Sequence, residues 1–297
     1  MSGANVIEPS MATPAIPEVH YRLDAPARGH FPGAHRSRRG DSGHEFRGHA
    51  SLLDAPDARR LDLHASLRDP FGQWIVRVYS QRKSVPVAIV ADLSASMGFR
   101  ADGPQARRRL DVVADFAQSL AWSAWRHGDS FGFVGGDDAL RDRFTLPPSR
   151  SRGVAQALAQ DLRGFEPAGR SAEGLRDAHS RLGRLRTLVF LVSDFHWPLP
   201  QLASVLASLA PHAVVPVVVW DPAEFALSAP HGLADVRDPE SGRARTIWWR
   251  PALREQWRQA HEARRAALWQ TFRAARLRPL FVEGAYDAEA VTRHFLA

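Results

Sequence analysis

Asp92, Ser94 and Ser96 stand two residues apart in VPVAIVADLSASMGF, residues 85–99, where an unbroken apolar run ends. A carboxylate and two hydroxyls are hard oxygen donors, a set that suits Mg²⁺ or Mn²⁺ rather than a thiol-seeking metal. A second acid, Asp194, closes the apolar run TLVFLVSDF, and a third, Asp221, closes AVVPVVVWD. An aspartate at a strand end also caps helices and serine is common in turns, so the triplet gains weight only from the elements around it. Asp194 is the natural second carboxylate for an ion held at Asp92, because neighbouring strands lie about 4.8 Å apart. Asp221 reads as structural.

Other chemistries lack their residues. No phosphate-binding loop of the GxxxxGK[ST] type, no GxGxxG after a strand and no HExxH occurs. No GxSxG elbow places a serine beside a base. The chain has no cysteine, which excludes a disulfide framework, a thiolate metal site and a cysteine nucleophile. His196, two residues past Asp194, is the one local base that a hydrolase at this edge could use.

The elements that must position these acids follow from periodicity. Short apolar runs such as VAIVA read as buried strands of a mostly parallel sheet, and ligands of such sheets sit at the carboxyl ends of the strands. Leu110, Val113, Ala114, Ala117, Leu120, Ala121 and Ala124 recur at helical spacing, and Gly128 stops that helix. SFGFVGG and LRDRFTLP form a hairpin around 135–138. SRGVAQALAQDLRGF and AEGLRDAHSRLGRL read as helices, followed by the Asp194 strand, a helix over 198–209 and the Asp221 strand. A long helix over 252–275, the strand RPLFVEG and a last helix, DAEAVTRHFL, complete the order. Strands alternating with helices imply an α/β, doubly wound, mostly parallel sheet with one antiparallel edge hairpin. Further upstream, QWIVRVYS alternates as a strand, with Trp74, Val76 and Val78 on one face.

Composition bounds the rest. The chain has 297 residues, 44% apolar and 24% charged, an ordinary globular balance. The start lacks a basic, apolar signal segment and no run of about 18 apolar residues occurs, so a cytoplasmic protein without a membrane span is expected. The net charge is +7, and Lys83 is the single lysine. The arginines are scattered and each usually lies near an acid, which argues for a solvated surface over a nucleic-acid face. Three regions are expected: a flexible leader over 1–19, an Arg- and His-rich segment over 20–84, and the α/β domain over 85–297.

The pattern Asp-x-Ser-x-Ser, with Asp194 on a neighbouring strand, resembles the metal-ion-dependent adhesion site (MIDAS) of von Willebrand factor A (vWA) domains. That resemblance adds Ser171, in the loop GRSAEG, where vWA domains commonly carry a threonine. The longer run RRLDLHASLRDPFGQWIVRVYSQRKSVPVAIVADLSASM resembles the DUF58 family, vWA-containing partners of MoxR-type AAA+ ATPases. Arg59, Leu61, Asp62, Ser66 and Arg68 fall on that family's frame, while Leu63 and Leu67 replace its tryptophan and alanine. GDSGHEF, SDFHWP and WDPAEFALSAPHGLADVRDPESG match further family segments.

The resemblance implies a Rossmann-like vWA domain beside an N-terminal strand- and loop-rich segment. It implies a divalent cation held by Asp92, Ser94, Ser96, Ser171 and Asp194, and no catalytic residue. The implied role is a non-catalytic adaptor between a MoxR-type ATPase and a client protein, with Arg59, Asp62 and Arg68 in structural ion pairs. Two readings stand beside it: a basic nucleic-acid binder, whose association would weaken steeply with salt, and a metal-dependent hydrolase using His196.

Overall fold

The computed structural model describes residues 16–22, 32–36, 45–80, 82–100, 106–224, 232–238 and 242–296. Among the described residues, twelve strands and seven α-helices follow in chain order. β1 (Pro32–Arg36), β2 (Glu45–Ser51), α1 (Leu63–Arg68), β3 (Ile75–Ser80) and β4 (Arg82–Lys83) precede the main sheet. β5 (Pro86–Asp92), α2 (Arg109–His127), β6 (Ser130–Gly136), β7 (Leu140–Ser149) and α3 (Val154–Arg163) come next. α4 (His179–Leu182), β8 (Leu188–Ser193), α5 (Leu199–Ser208), β9 (Ala213–Trp220), β10 (Gly232–Arg237) and β11 (Ala244–Trp249) follow. α6 (Pro251–Ala274), β12 (Leu280–Glu283) and α7 (Ala288–Leu296) close the chain.

Six strands form the central sheet in the order β12-β9-β8-β5-β6-β7. All neighbours run parallel except β6 and β7, the antiparallel edge hairpin. This is the doubly wound arrangement the sequence implies. The central strands are apolar on both faces because both faces are covered. Val87, Ile89 and Ala91 of β5 point into one core with α2, α3 and α7; Ala88 and Val90 point into the other with α5 and α6. The edge strand β7 is mostly exposed and carries Arg141, Asp142, Arg143 and the pair Pro147–Pro148.

α2 ends where the sequence predicts, at Gly128 in the left-handed conformation (φ 73°), which a side chain would strain. The segment AEGLRDAHSRLGRL departs from expectation. It is not one helix but a 3₁₀ turn, Glu173–Asp177, followed by the single turn α4. Gly174 explains the break: its N–H donates to the Asp137 carbonyl at 2.8 Å, and a Cβ there would lie 2.4 Å from the Ala139 backbone. The hairpin β10–β11 was not anticipated; it turns through Gly242 at φ 68°.

In the N-terminal segment, β2 pairs antiparallel with β3. Asp62 caps α1 through the Ala65 N–H (3.1 Å) and accepts from Arg77 Nε (2.7 Å), with His49 Nε2 3.1 Å away. Its ionic partner is therefore Arg77, not Arg59 or Arg68. Ser66 Oγ donates to the Asp62 carbonyl at 2.7 Å and receives the Ile75 N–H at 2.8 Å, fastening α1 to β3. The family-frame residues Asp62 and Ser66 are thus the stitching of this segment. Residues 1–15 of the expected leader lie outside the described residues, as do 37–44 of the basic run. Residues 16–22 run along α2, with Val19 fully buried and Tyr21 nearly so.

Candidate metal centre at the carboxyl edge of the sheet

Asp92 is the last residue of β5 and Asp194 directly follows β8, the adjacent parallel strand, so both acids leave the sheet at the same edge. Ser94 and Ser96 lie in the turn that follows Asp92, where Ala95–Gly98 form one stretch of 3₁₀ helix. That turn is pinned to the opposite loop by a bridge between Ser94 and Gly169, with the Ala95 N–H donating to the Gly169 carbonyl at 2.8 Å. Asp92, Ser94, Ser96 and Asp194 are all buried.

Their oxygens form one chain of contacts. The Ser94 and Ser96 hydroxyls lie 3.3 Å apart, and each favours the charged form of the acid beside it, Ser94 that of Asp92 and Ser96 that of Asp194. The remaining donors to Asp92 are the Ser94 N–H (2.8 Å), the Ser193 hydroxyl (2.7 Å) and the Trp197 indole N–H (2.7 Å), all neutral. Burial first, and the negative charge of Asp194 second, push the Asp92 carboxyl up to about 6. Asp194 moves the other way. Burial opposes its charge, but Arg109, His196, the Ser96 hydroxyl and the His196 N–H outweigh that and hold it below the ordinary carboxylate value.

Arg109 is the residue sequence reasoning missed. It opens α2, is 5% exposed, and donates through Nη1 to Asp194 Oδ2 (2.6 Å) and to the Ser96 carbonyl (2.7 Å). Its Nη2 donates to Glu224, whose other carboxylate oxygen lies 3.5 Å from His196 Nε2. The guanidinium also stacks over Phe99 at 5.0 Å. Burial disfavours the charge of Glu224, yet His196 and Arg109 hold its carboxyl below the usual value; burial opposes the charge of His196 as well, but its bond to Glu224 and the charge of Asp194 raise it. Glu224 stands in the WDPAE segment quoted for the family resemblance, which was the available signal. Arg109 is one of three consecutive arginines, and nothing in the run distinguishes it.

Ser171 is not in this chain of contacts. Its hydroxyl donates to Asp138 Oδ1 at 2.8 Å, and the neighbouring Arg170 N–H donates to Asp138 Oδ2 at 3.2 Å. Asp221 behaves as a turn residue, its N–H donating to Glu224 at 3.1 Å.

The four clustered residues fit a hard divalent cation. They present two carboxylates and two hydroxyls in contact, and the Asp92 charge, fully buried against a second acid, receives only neutral donors. Arg109 pairs with Asp194 and Glu224, whereas Asp92 has neutral donors alone and is the carboxylate left without a cationic partner for an ion to balance.

The family model for DUF58, a protein family of unknown function, matches residues 55–267. An uncharacterized protein encoded in the moxR 3′ region of Paracoccus denitrificans is 41% identical over 83 residues, covering 28% of this chain and 79% of that protein. An uncharacterized Mycobacterium tuberculosis protein is 26% identical over 223 residues, covering 73% of this chain and 67% of its own. Among solved structures, the conserved hypothetical protein BatB of Bacteroides thetaiotaomicron aligns with a TM-score of 0.41 at 14% identity, covering 72% of this chain and 96% of that one. Since the matched span takes in the α1–β3 segment, the metal-edge strands and most of α6, the chain belongs to the DUF58 family.

Proposed function

We propose that this protein is a non-catalytic adaptor that works in the cytoplasm with a MoxR-type AAA+ ATPase, presenting a divalent cation to an acidic group of its partner. The contact chain Asp92–Ser94–Ser96–Asp194 carries the reading. These four residues would hold Mg²⁺ or Mn²⁺, with Ser171 a further ligand only if its loop releases Asp138; the ion would supply an open position for a partner carboxylate. The ATPase would then supply the work of maturing, remodelling or inserting metal into a client enzyme. The relative named for its place beside moxR supports the choice of ATPase.

The segment 20–84 is taken as a flank of the vWA-like domain, 85–297, that shapes the partner surface. Its exposed apolar side chains support this: Leu53, Leu67, Phe71 and Trp74 are 90%, 86%, 83% and 57% exposed. Among the described residues no helix is long and apolar enough to cross a membrane.

The test is capture of a purified MoxR-type ATPase by wild type, Asp92→Ala and Ser96→Ala, each with Mg²⁺ and with EDTA. The adaptor reading expects retention by wild type with Mg²⁺ and loss in every other sample. Equal retention in all samples would move the interface to the 20–84 segment and make the acid cluster structural.

A further inference from the structure

On the opposite side of α2 from its Arg109 end, three side chains converge that play no part in the site above. Residues 16–22 are extended, and alternate side chains face alternate ways. Val19 and Tyr21 point into the core, so Glu18 and His20 share the outer face. There they meet His127 in the last turn of α2. One ligand atom from each of Glu18, His20 and His127 lies within 4.8 Å of the others. Ligand atoms around a tetrahedral zinc lie about 3.3 Å apart, so a closure of about 1.5 Å at most completes the set.

We propose that Glu18, His20 and His127 form a second metal site, selective for zinc or a similar imidazole-seeking cation and distinct from the oxygen site at Asp92. Two nitrogens and one carboxylate are the three-ligand pattern of an open zinc centre, with a position left for water or a partner.

The surroundings prepare these ligands. His127 Nδ1 lies 2.6 Å from the Ser123 carbonyl, an acceptor only, so Nδ1 carries the proton and Nε2 is the nitrogen left to bind metal. The strap is held in register by the Val19 N–H to Ser123 Oγ (2.7 Å), Ser119 Oγ to the Pro17 carbonyl (2.5 Å) and the His20 N–H to Thr292 Oγ1 (3.1 Å). Tyr21 anchors its far end on Asp129 at 2.7 Å. The His20 and His127 rings meet edge to face with centroids 5.8 Å apart, and Tyr21 lies 5.6 Å from His127. Glu18 pairs with Arg126 at 2.9 Å, but Arg126 is more than half exposed, and solvent screens such a pair. A cation can displace it. Metal there would clip the strap to α2.

The test uses the full chain dialysed against zinc in excess Mg²⁺, with bound zinc counted, for wild type, His20→Ala, Glu18→Gln and Ser96→Ala. His20 is exposed, so its variant keeps the fold, which a thermal melt checks. We expect one tight zinc in wild type and in Ser96→Ala, and affinity lower by at least about tenfold in His20→Ala and in Glu18→Gln, since even outer partners of a ligand are worth 10–100-fold. Cobalt substitution should give a tetrahedral visible spectrum that the same two variants lose. Absence of retained zinc in wild type, or equal retention by wild type and His20→Ala, overturns the proposal. So does zinc lost from Ser96→Ala but kept by His20→Ala, which would place it at the oxygen site.

Discussion

The two ends of α2 handle charge in opposite ways. At its start, Arg109 and Asp194 are shut away from water with Glu224 half-buried beside them, and their charged groups are committed to one another. At its end, Glu18, His20 and His127 are half-buried or exposed, with Glu18 paired to the exposed Arg126 and His127 held by a carbonyl of its own helix. Burial makes the first set interdependent: removing one member strands the others. The second set can change without disturbing the fold. Low dielectric amplifies both the pairing and the penalty for losing it.

The largest way to break the contrast is Arg109→Ala. It leaves the fully buried Asp194 without its arginine, and denaturant unfolding should show a loss of about 3–5 kcal/mol. A matching change at the open end, His20→Ala, should move metal-free stability by no more than about 0.5 kcal/mol. Next is Tyr21→Phe, which removes a buried bond to the Asp129 carboxylate. A loss of about 1.5–3 kcal/mol, read by the same unfolding, would show that the strap depends on its inward side chains rather than on Glu18 and His20.

Ser96→Ala and Ser171→Ala sharpen the comparison within the acid edge. Ser96→Ala should cost about 1 kcal/mol and abolish the thermal shift given by Mg²⁺. Ser171→Ala, whose hydroxyl serves Asp138, should leave that shift in place. Smallest is a pH effect belonging to neither end. Burial first, then the nearby His179, hold His212 below its ordinary value, and its Nδ1 accepts the Thr187 N–H at 3.3 Å. The unfolded chain therefore takes this proton before the folded one. Stability is full above about pH 6.5 and falls as pH drops below it. His212→Gln should flatten that part of the slope in unfolding measured from about pH 7.5 to about pH 5.5.

Much of the scaffold was readable because burial on two faces writes itself as apolar runs: VAIVAD and VFLVSD announce both strands and the acids that end them. The four clustered oxygens were readable for the same reason, since strand ends fix where they emerge. Arg109 was not. Its partners Asp194 and Glu224 lie 85 and 115 positions away, and an arginine seated in a core has the same letter as one on the surface. The broken helix at 173–182 turned on one backbone contact at Gly174, which periodicity does not register. The hairpin β10–β11 carries mostly exposed side chains on β11 and so leaves little apolar signature. Glu18 lies in the stretch read as leader and His20 opens the segment after it, and their i, i+2 spacing has meaning only once Val19 is known to be buried.

The edge strand β7 has a consequence for how this molecule associates with anything. An open sheet margin is a template on which a foreign strand can grow, the first step of aggregation or strand exchange. β7 closes that route at one margin, since Pro147 and Pro148 have no N–H to offer and Arg141, Asp142 and Arg143 place charge along it. The other margin, β12, offers only four residues. A partner therefore cannot lengthen the sheet to any extent. It must read side chains, and the edge where the acids emerge is where loops present them.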